Sequence, residues 1–520
     1  MKNGEGRMYR KTQSATIIGV EAKQVKVEAD VTGGLPVFEM VGFLSSEIKE
    51  AKERVRAAIK NSGYELPPRR ITVNLSPADL KKTGSGFDAP IAVSILSCLG
   101  YIKTDLLDKS LIVGELGLDG RMCHVNGILP IVAMAKEQGY EYCFLPDENR
   151  NEGNVVTGIK VVGVETLSQL TDLLNGKDPI VAKHTEIEEL LEKQYCTNRY
   201  DMSDIYGQDL IKRGVKVAVA GMHNILLAGP PGSGKTMLAK RIPTILPKLN
   251  KEEVLEISKI YSVAGLLSEN GIMLQRPYRE AHHTITIPAL VGGGVTPKPG
   301  EVTLAHKGVL FLDEYTEYNR KVMEVLRQPI EDREVILSRV RNRYHFPAEF
   351  MMVCATNLCP CGYFPDRKKC NCTEYAIQKY LGKVSGPIID RIDIGLFVSR
   401  MKLEEIENKK KGESSKEMRI QVERARKMQQ ERYRNTNIDF NAGLSATDIK
   451  KYCTMTKSAK ELLELAYKKM DLSMRGYHKI RKVARTIADL DGIEKIQEEH
   501  MAEAIGYRIG DLRELAVMHE

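Results

Sequence analysis

Apolar positions along the chain change their spacing from one region to the next. From Thr16 to Glu28 apolar and polar residues alternate, which predicts a half-buried strand. Ser46 to Ser62 shifts to helical spacing and stops at Gly63, and Ile71-Thr72-Val73-Asn74-Leu75 returns to a strand. Ala89 to Leu99 reads as an apolar helix, and Leu111-Ile112-Val113 and Tyr142-Cys143-Phe144-Leu145 as short strands. This mixture predicts an α/β or α+β domain over residues 1–175. Gly176 to Tyr200 contains Pro179, Cys196 and a charged helix-like piece, Thr185 to Lys193, and residues 176–205 read as a linker.

Residues 206–400 carry a different pattern. Asn224-Ile225-Leu226-Leu227-Ala228, Gly308-Val309-Leu310-Phe311-Leu312 and Phe350-Met351-Met352-Val353-Cys354-Ala355 are apolar without alternation. Such runs belong inside a parallel sheet covered on both faces. Thr236 to Ile245 reads as a helix ended by Pro247. Beyond residue 400, Met401 to Arg434, Leu444 to Tyr452, Ser458 to Met470 and Tyr477 to Leu490 are charged, helix-forming segments. Residues 401–520 are therefore expected to form a small helical lid.

Composition narrows the class. The 520 residues are 42% hydrophobic, ordinary for a core-forming protein, and no run approaches the ~18 apolar residues of a membrane span. Met1 to Arg10 is polar and lacks an apolar signal core, so a cytoplasmic location is expected, with no membrane partner. Four of the ten cysteines cluster and the rest are scattered, unlike a disulfide framework. A net charge of +8 permits a nucleic-acid partner without demanding one, and the absence of Trp leaves no visible base-stacking platform.

The apolar runs end in chemistry. The first delivers Gly229-Pro230-Pro231-Gly232-Ser233-Gly234-Lys235-Thr236, a match to G-x-x-x-x-G-K-[ST] placed between a strand and a helix. Glycines let backbone N–H groups approach phosphates, the helix start offers its positive end, and Lys235 adds a full charge. The second ends in Asp313-Glu314. Asp313 is expected to hold Mg²⁺ with the Thr236 hydroxyl, and Glu314 to orient and deprotonate the attacking water. The third delivers Thr356-Asn357. Asn357 is expected between the ends of the other two strands, where the first sensor of an AAA+ ATPase positions water. In Pro387-Ile388-Ile389-Asp390-Arg391-Ile392-Asp393, Arg391 reads either as an ion-paired surface residue or as an arginine finger. In AAA+ rings the finger reaches the neighbour's nucleotide, which requires an oligomer. Asp201-Met202-Ser203-Asp204 is a helix-start signal, in the segment that often contacts adenine in AAA+ ATPases.

Between the two nucleotide motifs lie Arg276-Pro277-Tyr278-Arg279, His282-His283-Thr284, Val291-Gly292-Gly293-Gly294, Pro297-Lys298-Pro299-Gly300-Glu301 and Leu304-Ala305-His306. Together with Thr83-Gly84-Ser85-Gly86-Phe87-Asp88-Ala89-Pro90 and Gly114-Glu115-Leu116-Gly117-Leu118-Asp119-Gly120, they resemble the magnesium-chelatase-like AAA+ ATPases of the ComM/YifB family over nearly the whole chain. The resemblance implies a Lon-protease-like (S5 domain 2-like) α+β domain, an AAA+ αβα core with an insertion over 276–306, and a C-terminal lid. It also implies ATP and Mg²⁺ as ligands and a hexameric DNA motor of helicase or branch-migration type, serving recombination and transformation. Gly292 to Gly300 is then a mobile loop that can face the ring's pore, with Lys298 a candidate DNA contact. In Ser473-Met474-Arg475-Gly476-Tyr477, Arg475 is the first candidate for a second sensor touching the γ-phosphate in its own subunit, ahead of Arg481 and Arg485. A motor subunit of a metal chelatase is the alternative.

An ATP-dependent protease is the least favoured class. Where the Lon pattern has its serine and lysine, this chain has Phe87–Asp88 and Leu129; Ser85 with Lys81 or Lys82 is the remaining dyad to examine. His282-His283 lacks a third metal ligand at a readable spacing. The loop 359–372 is different: Cys359-Pro360-Cys361 and Cys370-Asn371-Cys372 can satisfy tetrahedral zinc, though C-x-C is tighter than the usual C-x₂-C. The alternatives are a reduced loop or labile disulfides. Arg367-Lys368-Lys369 between the pairs can also meet a phosphate backbone.

Overall fold

The computed structural model describes residues 8–508 apart from 104, 179, 182–183, 195–199, 269, 295, 340–342, 385 and 401–411. Pro179, Cys196 and the first part of the Met401 to Arg434 segment lie outside the described residues.

The N-terminal sheet is built from β1 (Met8–Ile18), β2 (Glu21–Thr32), β3 (Phe38–Val41), β4 (Arg70–Ser76), β5 (Ser110–Ile112), β8 (Tyr142–Pro146) and β9 (Lys160–Val164), with β6 (Glu115–Leu116) and β7 (Met122–Cys123) as a separate ribbon. Its order is β3-β4-β2-β1-β5-β8-β9. The strand expected over Thr16 to Glu28 is in fact a hairpin, with Ile18 opposite Glu21. Gly19 makes the reversal at φ +67°, and a Cβ there would lie 2.9 Å from the His345 carbonyl oxygen. Apolar and polar residues keep interleaving on both sides of the turn, so periodicity alone hid it. On β2, Val25, Val27, Ala29 and Val31 point into a core closed by helices Ser46–Asn61 and Asp88–Cys98. The opposite side packs on helix Ile128–Glu137 and on Val254, Ile257 and Tyr261 of helix Lys251–Ala264. Burying each such Val or Ile contributes roughly 1.5–3 kcal/mol, and here that burial joins the N-terminal domain to the next one.

The second sheet contains β10 (Ile225–Ala228), β11 (Tyr278–Ala281), β12 (Val309–Leu312), β15 (Met351–Thr356) and β16 (Ile394–Phe397), all parallel, in the order β11-β12-β15-β10-β16. Every residue of β10, β12 and β15 is buried, as their unbroken apolar runs require. Two expectations change. Tyr278–Ala281, placed within the insertion, is the edge strand paired with β12. The helix expected over Thr236 to Ile245 divides into Lys235–Ala239 and Ile242–Ile245, because Pro243 starts the second piece. A ribbon of β13 (Glu334–Ser338) and β14 (Arg343–Pro347), unforeseen in the sequence, lies beside the 292–300 loop, where Arg339 donates to the Gly294 carbonyl at 3.0 Å.

The C-terminal helices Ser415–Tyr433, Ala446–Tyr452, Lys457–Lys469, Met474–Leu490 and Glu498–Gly506 pack together. Helix Met474–Leu490 docks on helix Asp209–Gly221 of the core. Because the core strands are parallel, their carboxyl ends meet at one edge of the sheet and their amino ends at the other. This polarity organises the chemistry below.

Candidate nucleotide site at the carboxyl edge of the core sheet

The loop after β10 turns through Gly232 and Gly234 at φ +75° and +93°, conformations that glycine reaches without strain. A Cβ on either would meet nothing within 4 Å, so the glycines are required for their backbone conformation and not for space. Gly229 is required for another reason: a Cβ there would lie 2.2 Å from the Val398 carbonyl oxygen. Lys235 curls back over the loop. Its Nζ donates to the Gly229 and Pro230 carbonyls at 2.8 and 2.9 Å and to Asn357 Oδ1 at 3.2 Å. Burial pushes the Lys235 ammonium down to about 8, against the opposing pull of Asp313. An anion entering the loop would favour the charged form.

Thr236 and Asp313 come from different strand ends yet touch: the Thr236 hydroxyl donates to Asp313 Oδ2 at 2.9 Å. Two hard oxygens side by side beside a phosphate loop suit Mg²⁺. The strand order β12-β15-β10 sets Asn357, at the end of β15, between Asp313 and Lys235. Gln208 reaches the same loop through the Ser233 carbonyl at 3.4 Å. Asp201 closes a capping box with Asp204 and accepts from the Ser415 N–H of the lid.

Glu314 sits at φ +49°, a left-handed conformation unusual outside glycine, and its N–H is held by Asp313 Oδ1 at 2.9 Å. Its carboxylate lies 3.3 Å from His283 Nδ1. The histidine pair makes contacts other than those of the metal site weighed from sequence. Its rings lie with centroids 4.1 Å apart, tilted by 34°, His282 turns to Thr284, and His283 faces Glu314. Among the described residues, neither histidine joins a group able to hold a metal.

Arg391 and Arg475 are elsewhere. The Arg391 carbonyl accepts from Asn224 Nδ2 at 2.9 Å, and Asn224 precedes β10. This is the amino edge of the sheet. With a rise of ~3.3 Å per residue, the length of β10 puts it roughly 16 Å from the phosphate loop of the same chain. Arg391 is buried, 8% exposed, and its guanidinium ion-pairs with Glu331. Arg475 is exposed and lies 3.9 Å from Asp390. Both line a cleft of about 490 Å³ between core and lid, shared with Arg333, Lys479 and Lys482. The expectation that Arg475 touches the γ-phosphate of its own subunit is thus corrected: helix Met474–Leu490 is anchored at the amino edge, where Lys479 donates to the Ile392 carbonyl at 2.8 Å. The competitors are committed inside the lid. Arg485 is fully buried against Asp489, and Arg481 donates to the Ile449 carbonyl at 3.0 Å.

Among the described residues of the N-terminal domain, no hydrogen bond joins Ser85 to Lys81 or Lys82. Ser85 is bonded to Glu115, and buried Lys82 donates to the Pro77 carbonyl. The four-cysteine loop does converge: Cys359, Cys361, Cys370 and Cys372 place their sulfurs within 4.8 Å of one another, a cluster able to hold a metal. Lys298 is exposed on the turn closed by its backbone pairing with Gly293. None of the described helices is long and apolar enough to cross a membrane.

Comparison with known proteins places this geometry in a lineage. Profiles of the magnesium chelatase family match in three consecutive stretches: subunit ChlI of Mg-chelatase over residues 27–149, magnesium chelatase subunit ChlI over 201–406, and the ChlI C-terminal region over 412–508. The chain is 38% identical over 496 residues to the competence protein ComM of Haemophilus influenzae, covering 95% of this chain and 96% of that one. It is equally similar, with the same coverage, to the protein YifB of Escherichia coli. A partial likeness, 29% over 185 residues, links 30% of the chain to 32% of Lon protease 2 of Bacillus subtilis.

Proposed function

This chain belongs to the ComM/YifB family of magnesium-chelatase-like AAA+ proteins, and from that premise we propose that it is a Mg²⁺-dependent ATP hydrolase that works as a ring, with DNA as its track. The observation that carries the hydrolase is the junction of three strand ends: the Thr236–Asp313 contact at 2.9 Å beside the Lys235–Asn357 contact at 3.2 Å. Gly229, Pro230, Pro231, Gly232, Ser233 and Gly234 cradle the phosphates with backbone N–H groups, and Lys235 exchanges its carbonyl partners for phosphate oxygens. Thr236 and Asp313 hold Mg²⁺, which supplies charge neutralisation on the phosphates. Glu314 takes the proton of the attacking water once it turns from His283, and Asn357 positions that water or the γ-phosphate.

Arg391 serves the neighbouring protomer. Lying at the amino edge, it completes the site of the next chain in a ring, with Arg475 beside it. A hexamer is the expected assembly. The DNA reading is supported by full-length similarity to a competence protein, and by the basic, exposed Lys298 turn beside the β13–β14 ribbon. A second reading, the motor of a metal chelatase, is favoured by the three family profiles.

One experiment separates them: the ATPase rate measured alone, then with single-stranded, duplex and branched DNA. Stimulation of about tenfold or more by one DNA form is expected. A rate indifferent to every DNA form would favour the chelatase-type motor, and no Mg²⁺-dependent turnover under any condition would refute the hydrolase.

A further inference from the structure

We propose that Cys359, Cys361, Cys370 and Cys372 bind one zinc ion, and that the zinc-clamped loop is the wall that holds the P-loop and Asn357 in register. The coupling rests on the reading of Gly229–Thr236 as a nucleotide site; the metal site does not.

Sulfur geometry selects the ligand. Cys359 Sγ lies 3.3 Å from Cys361 Sγ and 3.7 Å from Cys370 Sγ, and Cys361 lies 3.6 Å from Cys370. A disulfide needs about 2.05 Å, and all four thiols are free. Four thiolates around zinc at about 2.3 Å sit about 3.8 Å apart along a tetrahedron's edges. The observed spacing therefore fits a shared ion and not a pair of crosslinks. The Phe364 N–H points at Cys359 Sγ from 3.3 Å, an outer hydrogen bond that favours a thiolate. Cys359 and Cys370 are buried while Cys361 is exposed, which leaves an entry path. On binding, four thiols release four protons to solvent as the ion takes four Zn–S bonds.

The loop also needs a clamp. Leu358 to Thr373 contains no helix or strand, a long irregular segment beside a functional site. Its tip presses on the P-loop. Gly362 follows Cys361 at φ +83°, and a Cβ there would lie 2.7 Å from Pro231 Cδ. Arg400 stacks on the Tyr363 ring at 5.2 Å and donates to the Pro231 carbonyl at 2.8 Å. Cys359 stands two residues after Asn357, the partner of Lys235. Zinc would thus fix both the loop that touches Pro231 and the chain that carries Asn357.

The test uses the full-length chain, with zinc measured by elemental analysis, tetrathiolate coordination read from the visible absorption after Co²⁺ substitution, and nucleotide affinity read with a fluorescent ATP analogue. About one zinc per chain and intense tetrahedral Co²⁺ bands are expected. Cys361→Ser/Cys372→Ser should lose the metal and weaken nucleotide binding about tenfold. Gly362→Ala should keep the metal and weaken binding by a similar factor. A wild-type chain that carries no zinc and takes none up, or that binds Co²⁺ with only weak octahedral bands, overturns the metal site. Zinc-free and Gly362→Ala chains that bind the analogue as tightly as wild type overturn the coupling. A zinc-loaded wild-type chain that binds no analogue faults the nucleotide reading and the coupling together, while the zinc content still stands as measured.

Discussion

The two edges of the core sheet carry different chemical groups. At the carboxyl edge, Lys235, Thr236, Asp313 and Asn357 bond to one another across three strand ends. At the amino edge, Arg391 and Arg475 face Glu331 and Asp390 in a cleft shared with the lid. The first edge has a phosphate loop and metal-suited oxygens but no arginine from the second; the second has planar cations and no loop to serve. A parallel sheet cannot bend one edge onto the other. On the proposed reading, joining them takes a second copy of the chain, amino edge to carboxyl edge, in a head-to-tail contact whose repetition would close a ring.

The comparison breaks first at the carboxyl edge. Lys235→Ala should abolish binding of a fluorescent ATP analogue, by 100-fold or more, with thermal unfolding unchanged. Unaltered affinity would remove the phosphate loop from the account. Next is the amino edge: Arg391→Ala should keep nucleotide affinity within a few-fold yet lower kcat by about 10³, the scale of an arginine finger. Within the lid, Arg475→Ala and Arg485→Ala should separate cleanly. The exposed Arg475–Asp390 pair is worth under about 1 kcal/mol, so its loss should cut the ATPase roughly 10- to 100-fold without moving Tm. Removing Arg485, buried against Asp489, should cost about 3 kcal/mol of stability. If Arg475→Ala also lowers Tm by several degrees, its role is structural.

Smaller effects sharpen the carboxyl edge. His283→Ala should free Glu314 from its 3.3 Å partner and raise the basal ATPase about two- to fivefold; a loss of activity would instead make His283 part of the hydrolytic machinery. The Lys235 ammonium, depressed to about 8 in the free chain, should be protonated when phosphate is bound. Binding then takes up a proton above pH 8, and affinity should fall by up to about tenfold per pH unit as pH rises beyond it. A flat profile between pH 7.5 and 9.5 would contradict the buried-lysine reading.

The carboxyl edge was largely legible in the sequence, and the amino edge was not. Apolar runs without alternation are a strong signal, and each ended in a residue whose chemistry needed a neighbour; the likeness to the first sensor of AAA+ ATPases put Asn357 between the other two strand ends. Arg391 was visible as a residue, but its Glu331 partner lies sixty positions away, and no local pattern announces such a contact. Arg475 was placed on the wrong edge because a helix start tells where a positive end points only after its docking is known. His283 beside Glu314 and Gly362 against Pro231 are meetings of separate loops. In the N-terminal domain the alternating run hid a hairpin at Gly19, while Ser85 found Glu115 where a lysine base would be needed.

The central claim is that each complete site is shared between two chains. The direct measurement mixes Arg391→Ala chains, whose phosphate loop is intact, with Lys235→Ala chains, whose Arg391 is intact, and follows ATP hydrolysis against the ratio. Each variant alone should be inactive, and the mixture should recover activity that peaks near equal proportions. A mixture as inactive as its components, in particles shown to contain both chains, would contradict the claim.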